Sequence, residues 1–482
     1  MSGSTNATTC APWDSSPAPQ SELGLALALL NMVVHIPFND LPVVEDYQLG
    51  QLRPEYDYVI GCVIANQLSE DPDVTVLLLE AGGLEAASRQ VPFAAPMNLR
   101  GDDDWEDRSV PQKNAALSFH EQVNFEGTRA VGASFTRFGR PGTVSAKREV
   151  ILSAGTVGST QHLLLSGLGP KEELKQLQIP IVADLPVGRN LQDHPTLPLG
   201  VPIRTDVQAG IGPFSLEDIA QHARNRTGTI FIPASMEFLQ FLVTDYATNP
   251  DIPDVEVATM SISPARETLK TTMTQWGLLP EVFDSYIGPV NGQPGFQAVT
   301  ILNRPRFRGS ITLRSTDPYE HPNIDPRILE HPDDARAAAQ GTHTSLSADC
   351  TKIFIDKILS TDAMKSIGAK LWDSTFTPCA DAGPRWSEQY IECLFRHTAL
   401  PIWHLCCTVA MGSHSEAVLD ERLRVRGNVT GLRVADASVM PDIVSGHTNA
   451  PSMMIGSKAA DMIIEDNEER HSKKRRRTTG RH

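Results

Sequence analysis

Two histidines in the last third of the chain are the residues whose type and setting point most directly to chemistry. His404 lies in PIWHLCCTVAMG and His447 lies in PDIVSGHTNAPSMM, each in a turn beside an apolar run. An imidazole titrates near neutral pH and can accept a proton from an alcohol. The pair therefore predicts a site of proton abstraction. The alternative is that both are buried, hydrogen-bonded core histidines.

The composition of the chain excludes several classes of protein. With 482 residues, 40% hydrophobic and 21% charged, the chain is globular and long enough for two packed domains. Its net charge of −16 argues against a nucleic-acid-binding surface, which needs a basic face. We therefore expect an acidic soluble protein without a nucleic-acid partner.

Seven cysteines are too few and too scattered for a disulfide scaffold, and no CxxC spacing suggests a metal site. Cys379 and Cys393 flank a short helical pattern and could pair in an exported protein, or could be two ordinary buried thiols. Cys406 and Cys407 lie beside His404. We interpret them as small apolar residues rather than as a nucleophile, because no acidic or basic group is fixed beside them by the sequence.

Signals for cellular location are mixed. The apolar run at residues 23–34 is too short to cross a bilayer as a helix and resembles the apolar region of a signal peptide, although no lysine or arginine precedes it. Asn-x-Ser/Thr sequences at Asn6, Asn225 and Asn428 are compatible with secretion. We expect an exported protein without a transmembrane span, with a cytoplasmic location as the alternative. The basic C-terminal tail is interpreted as a solvated charge run.

The elements that would position the histidines begin near Tyr56. YDYVI predicts a strand, GCVIANQLSE a helix, and DVTVLLLEAGG a second buried strand that ends at Glu80. This is the layout of a dinucleotide-binding unit, whose first turn normally carries GxGxxG so that backbone N–H groups approach a pyrophosphate. Only Gly61 stands between the predicted strand and helix.

Later segments repeat the alternation of strand and helix. AKREVILSAGTVGSTQHLLLSGLGP predicts a buried strand ending at Ala154 and Gly155, followed by a helix. A polar turn with Asn190, Asp193 and His194 follows, and His194 taken alone is interpreted as a capped surface histidine. Residues 200–400 contain alternating stretches such as DVEVATMSIS, which predict an antiparallel sheet with flanking helices.

These segments together resemble the glucose-methanol-choline (GMC) family of flavin alcohol oxidoreductases, and EQYIECLFRHTALPIWH resembles its arthropod glucose dehydrogenase-like members. The resemblance covers about residues 54–465 and is interrupted twice. Family members read like YDYVIVGGGTAGCVIANRLSE, so roughly six residues of the phosphate loop are missing before Gly61. Near Gln122 a glycine- and serine-rich loop and the long stretch after it are absent.

The resemblance implies an α/β fold: a Rossmann-like FAD-binding domain and a substrate domain built on an antiparallel sheet with flanking helices. The implied parts are an N-terminal arm at 1–50, an FAD-binding part at 54–200 interrupted near 60 and 122, a mainly substrate domain at 201–400, an FAD-binding and catalytic part at 401–465 within a C-terminal region of about 304–463, and a charged tail at 466–482.

The resemblance also implies roles for individual residues. His404 would be the base, and His447 would orient the hydroxyl or share its proton. Glu80 would contact the adenosine ribose, Asp436 and Ala437 the pyrophosphate or ribityl chain, and Thr448, Asn449 and Pro451 the isoalloxazine. The full cofactor-binding set is Gly61, Glu80, Ala154, Gly155, Asn190, Asp193, Asp436, Ala437, Thr448, Asn449 and Pro451.

Some of these positions have structural alternatives. Asp436 could be a turn or helix cap, and Asn449 a turn residue. Cys407 stands where the family usually has glycine, which would shift the loop that carries His404.

The function implied by the resemblance is FAD-dependent oxidation of an alcohol or sugar hydroxyl. The hydride would pass to flavin N5, and the electrons would pass on to a quinone, oxygen or another acceptor. The alternatives are a non-catalytic relative and an incomplete sequence, either of which would have lost FAD binding. Neither the substrate nor the acceptor can be read from the residues.

Overall fold

The computed structural model describes residues 52–60, 62–79, 122–137, 140–207, 221, 224–225, 227, 236–261, 270, 273–274, 276–290, 293–344 and 361–479. The predictions for the apolar run at 23–34, for Asn6, for Gly61 and for Glu80 lie outside these residues.

Eighteen strands and eight α-helices are named within the described residues. The strands are β1 (Glu55–Ile60), β2 (Val76–Leu78), β3 (Gln122–Glu126), β4 (Arg129–Arg137), β5 (Arg140–Leu152), β6 (Leu168–Gly169), β7 (Ala183–Asp184), β8 (Arg189–Leu191), β9 (Pro195–Thr196), β10 (Val201–Arg204), β11 (Met236–Leu242), β12 (Val255–Met260), β13 (Gly295–Leu302), β14 (Gly309–Thr312), β15 (Asn323–Asp325), β16 (Lys370–Leu371), β17 (Leu400–Pro401) and β18 (Leu432–Val434). The helices are α1 (Cys62–Leu68), α2 (Gly155–Leu165), α3 (Lys171–Gln176), α4 (Pro280–Tyr286), α5 (Pro332–Thr344), α6 (Asp362–Ser366), α7 (Glu388–Thr398) and α8 (Asn449–Thr479).

The first sheet confirms the predicted unit of strand, helix and strand. β1 and β2 are parallel, with Tyr58 opposite Val76, and α1 connects them. β5 pairs in parallel with the other edge of β1, and its last residues, 150–152, are buried, as expected for a parallel strand covered on both faces. β18 pairs in parallel with those same residues. Strands that are distant in sequence therefore form one α/β sheet, and β3 and β4 extend it antiparallel.

The second sheet confirms the antiparallel sheet predicted within residues 200–400. Its strands run in the order β11-β12-β13-β10-β16, and β9 joins β13 to β17. All eight residues of β13 are buried. Helix α5 packs on β12 and β13, and α7 packs on α5. Ser387 caps α7 by accepting the Tyr390 N–H, and the buried face of that helix presents Tyr390, Ile391, Leu394 and Phe395.

Helix α8 is held to the first sheet by a buried ion pair. Arg433 in β18 is 0% exposed and pairs with Glu149 in β5 and with Asp466 in α8. α8 also packs on α1, where Gln67 Nε2 donates to Ser457 Oγ at 3.2 Å. The helix thus runs from residue 449 into the segment that the sequence marked as a tail.

Removing Arg433 is expected to destabilise the first sheet and its contact with α8 strongly. An Arg433→Ala change removes the cation that pairs with buried Glu149 and with Asp466, which costs about 3–5 kcal/mol of unfolding free energy. Denaturant unfolding monitored by tryptophan fluorescence and circular dichroism measures this loss. The control is Arg424→Ala, which breaks the exposed pair with Asp420 and should cost about 0–1 kcal/mol. Equal losses in the two variants would contradict the account of the buried pair.

The sequence left the pairing of Cys379 and Cys393 open, and the structure joins them in a disulfide with a Cα separation of 5.8 Å. The bond ties the turn before α7 to that helix.

Asn428 is exposed. Export nevertheless stays a prediction. Among the described residues, no helix has both the length and the apolar character to cross a membrane.

Candidate active site

Three histidines form a contiguous cluster. The Nδ1 atoms of His194 and His404 lie 2.9 Å apart, and the ring of His447 packs edge-on against that of His404 at a centroid distance of 5.0 Å. The predicted pair is therefore brought together. His194 is 0% exposed, so its interpretation as a surface histidine is wrong: its ring is enclosed and bound to main-chain carbonyls.

Asp193 holds the two segments that carry His194 and His404. Residues 192–194 and 402–406 run antiparallel, with Gln192 N donating to Cys406 O at 3.2 Å and Ile402 N donating to His194 O at 3.1 Å. The Oδ1 atom of buried Asp193 accepts the backbone N–H of His194 at 2.7 Å and that of His404 at 2.8 Å. One carboxyl group thus sets the relative position of both histidine backbones.

Glu256 in β12 supports His447 from the other side. Its Oε1 lies 3.1 Å from His447 Nε2, and its Oε2 accepts from Asn303 Nδ2 at 3.3 Å. Glu256 is 1% exposed. Glu256 was not predicted from the sequence. A glutamate in the otherwise apolar strand DVEVATM was the available signal, because a buried carboxylate needs a partner.

The environment moves the pKa values of the histidines in opposite directions. The hydrogen bond that His447 Nε2–H donates to the Glu256 carboxylate raises the pKa of His447. Burial, together with the charge of His447, lowers the pKa of His404 to about 4. At neutral pH His404 is therefore unprotonated and chemically a base, while His447 is the ring that more readily carries a positive charge.

Asp436 organises the start of α2. Its carboxylate accepts Gly155 N–H at 3.1 Å, Ser159 Oγ–H at 2.5 Å, Ser438 N–H at 2.9 Å and Ser438 Oγ–H at 2.5 Å. Burial raises its pKa. These four donors make Asp436 a cap that joins α2 to the 3-10 turn Ala437–Val439, which is the structural alternative left open by the sequence.

The loop that carries His404 joins this cap to the histidine cluster. Thr156 Oγ1 in α2 donates to Leu405 O at 2.7 Å, and Cys407 N donates to Ala437 O at 3.3 Å. Asn190 donates from Nδ2 to Pro441 O at 3.0 Å and to Cys407 O at 3.4 Å. Cys407 has φ +78°, the left-handed conformation that glycine adopts most easily. This conformation is consistent with the glycine that the family usually has at this position. The expected shift of the loop that carries His404 stays a prediction.

The other predicted cofactor residues border the same region. Ala154 precedes α2, and its N–H donates to Ser159 Oγ at 3.0 Å. Thr448 is buried directly after His447, Asn449 is the exposed first residue of α8, and Pro451 is half-buried two residues later. The candidate residues within the described structure thus lie around two neighbouring centres, the histidine cluster and the cap at Asp436.

The chain thus combines an α/β sheet with a second, antiparallel sheet, and the histidine cluster lies beside β12 of the second sheet. Models of the GMC oxidoreductase family match residues 113–196 with the N-terminal part of the family and residues 305–456 with its C-terminal part. The chain belongs to the GMC oxidoreductase family. Members of this family are FAD flavoproteins that oxidise alcohols or sugars.

Individual relatives agree with this assignment. The chain is 32% identical over 356 residues to ecdysone oxidase of Spodoptera littoralis, covering 72% of this chain and 54% of that protein. It is 32% identical over 330 residues to glucose dehydrogenase [FAD, quinone] of Drosophila melanogaster, covering 68% and 48%. The chain therefore spans about half the length of the curated relatives it matches.

A solved structure shows the same fold. A variant of formate oxidase from Aspergillus oryzae superposes with a TM-score of 0.66 at 18% identity, covering 86% of this chain and 99% of that one.

Residues directly after β5 and directly before His447 fit a flavin. Ser153 Oγ, directly after β5, and Ser445 Oγ, two residues before His447, are buried without a hydrogen-bond partner in the described part of the chain. At Gly155 and Gly446 a Cβ would meet no described atom within 4 Å. Buried hydroxyls without a partner are groups that the ribityl hydroxyls and ring carbonyls of a flavin would satisfy.

The dinucleotide end departs from the family pattern. β1 ends at Ile60 and α1 begins at Cys62, so one residue occupies the place of a glycine-rich loop. The described residues at this junction therefore give no contact to a pyrophosphate or to adenosine.

Proposed function

We propose that this chain is an FAD-dependent oxidoreductase that oxidises the hydroxyl of an alcohol or sugar, with His404 as the base. The proposal rests on the histidine cluster, in which the backbone of His404 is bound to Asp193 and its ring lies against His194 and His447. Bound FAD would supply the hydride acceptor, at N5 of its isoalloxazine. The residues proposed to hold it are Ser153, Gly155, Ala437, Ser445, Thr448, Asn449 and Pro451.

The protein's own residues would handle the hydroxyl proton. His404 accepts the proton, which lowers the cost of forming a carbonyl at the adjacent carbon. His447 keeps Nε2 on Glu256, and when its ring is protonated Nδ1–H donates to the same oxygen, where this hydrogen bond stabilises developing negative charge. The substrate oxygen is thus positioned between one acceptor and one donor.

For the electron acceptor we propose a quinone or oxygen. One relative is named as a quinone-dependent enzyme and another as an oxidase. The test uses FAD-loaded protein whose flavin has been reduced by an alcohol. A quinone and oxygen are supplied in turn, and the rate at which the reduced flavin is reoxidised shows which acceptor the protein uses.

The test of FAD binding is uptake of the cofactor by purified protein. After incubation with FAD and removal of the free cofactor, we expect protein-bound flavin absorbance and a rise in thermal stability, since a ligand that binds only the folded state stabilises it. The control is His414→Ala, at an exposed histidine outside the cluster, which should take up as much flavin as the unchanged protein. Colourless protein with an unchanged melting temperature would favour the non-catalytic alternative, which none of the comparisons supports.

A further inference from the structure

The contact between His194 and His404 restricts where their protons can be. His194 Nε2 lies 3.0 Å from Asn303 O and 3.0 Å from Val444 O. A carbonyl oxygen only accepts hydrogen bonds, so this nitrogen must carry a hydrogen. In a neutral His194 ring the other nitrogen, Nδ1, then carries no hydrogen and has a lone pair.

That lone pair faces Nδ1 of His404 at 2.9 Å. Two lone pairs at this distance would repel, so His404 Nδ1 must carry the hydrogen and donate it. A neutral His404 then has its own lone pair on Nε2. Within the described residues this nitrogen has no hydrogen-bond partner, so the lone pair is available to a substrate.

The reverse arrangement requires a charged His194. Its Nδ1–H would then donate to His404, whose hydrogen would move to Nε2 and remove the base. Burial, His404 and His447 lower the pKa of His194 to about 3. The neighbouring carboxyl group of Asp193 directs Oδ1 to the backbone N–H groups of His194 and His404 rather than to the ring. His194 is therefore neutral at the pH values at which the protein would work.

We propose that His194 is a positioning residue that fixes His404 in the Nδ1–H tautomer and thereby leaves Nε2 as the base. The consequence for catalysis rests on the proposed function. The tautomer itself does not, since it follows from the contacts within this chain. Asp193 reinforces the arrangement by holding both histidine backbones, so that the Nδ1–Nδ1 distance is set by the main chain.

The direct test is a long-range proton–nitrogen NMR spectrum of the full chain labelled with nitrogen-15 histidine. The signals of His404 and His194 are assigned by their loss in His404→Ala and His194→Asn. We expect a pyridine-type shift at His404 Nε2 and at His194 Nδ1, and a pyrrole-type shift at the other nitrogen of each ring. A pyrrole-type shift at His404 Nε2 would overturn the proposal.

Two variants at His194 separate tautomer control from simple packing. His194→Asn keeps an oxygen that can accept from His404 Nδ1, whereas His194→Leu fills the space without an acceptor. In His194→Leu we expect averaged nitrogen shifts at His404 and flavin reduction slower by at least about tenfold at unchanged flavin content, because only one tautomer reacts. His194→Asn should keep the nitrogen shifts of His404 and the rate of flavin reduction close to those of the unchanged protein. Unchanged His404 shifts in His194→Leu would contradict the role.

The tautomer and the proposed function can fail independently. The predicted nitrogen shifts in a protein that is never reduced by alcohols would support the assignment to His194 while removing the oxidoreductase function. The opposite shifts in a protein that is reduced would remove the assignment alone.

Discussion

Replacing His404 with alanine is expected to slow flavin reduction by alcohol by about 10²–10⁴-fold while leaving flavin binding intact. The ring is the unprotonated member of the cluster, and its loss removes the group that accepts the hydroxyl proton. We expect flavin binding to be retained because the proposed flavin contacts come from residues after the carboxyl end of β5 and around the start of α8. Stopped-flow absorbance under anaerobic conditions measures the rate.

The matched control is His414→Ala, which removes an exposed histidine from the same C-terminal region. Its reduction rate should equal that of the unchanged protein. If His404→Ala is reduced as fast as His414→Ala, His404 is not the base. If it contains no flavin, the ring has a structural role that the contacts do not show.

The second large effect is expected at Asp193. In Asp193→Ala the backbone N–H groups of His194 and His404 lose their acceptor, at a cost of about 1–3 kcal/mol for each buried group left unpaired. The histidine segments are then no longer held together, so we expect flavin reduction to fall by about 10²-fold as well. Asp193→Asn keeps the oxygen that accepts both N–H groups and should retain most of the stability and rate. Equal damage in the two variants would contradict this role.

The difference in stability between Asp193→Asn and the unchanged protein should depend on pH in a defined direction. Burial raises the pKa of Asp193 to about 7, above its ordinary value of 3.8. The folded state therefore binds a proton that the unfolded state has released, and the stability contributed by the protonated carboxyl group is lost as pH rises from about 4 to 7. Asparagine has no proton to lose. The variant should thus gain stability relative to the unchanged protein by up to about 1.4 kcal/mol per pH unit in this range.

The sequence predicted the fold better than it predicted the site. The apolar runs around β1, β2 and β5 specified a parallel sheet because their periodicity is local, and DVEVATM specified a strand of the second sheet for the same reason. The pair His404 and His447 was recognisable from its motifs. Its partners were not, because His194 and Glu256 reach the pair only through the packing of strands distant in sequence.

Two other features needed coordinates. The spacing of Cys379 and Cys393 allowed either a bond or two thiols, and only the orientation of α7 against the preceding turn decides between them. Asp436 fitted both a cofactor contact and a cap. The number of donors that reach its carboxylate could not be read from VADASVMP, because two of them come from α2.

The rate of anaerobic flavin reduction by an alcohol, measured as a function of pH in FAD-loaded protein, tests directly whether His404 is the base. Because the pKa of His404 is lowered to about 4, its ring is unprotonated from neutral pH down to about 5. We expect a rate that is constant over this range and falls as pH approaches 4. Absence of reduction at every pH, or a fall centred on the ordinary histidine pKa of about 6.5, would contradict it.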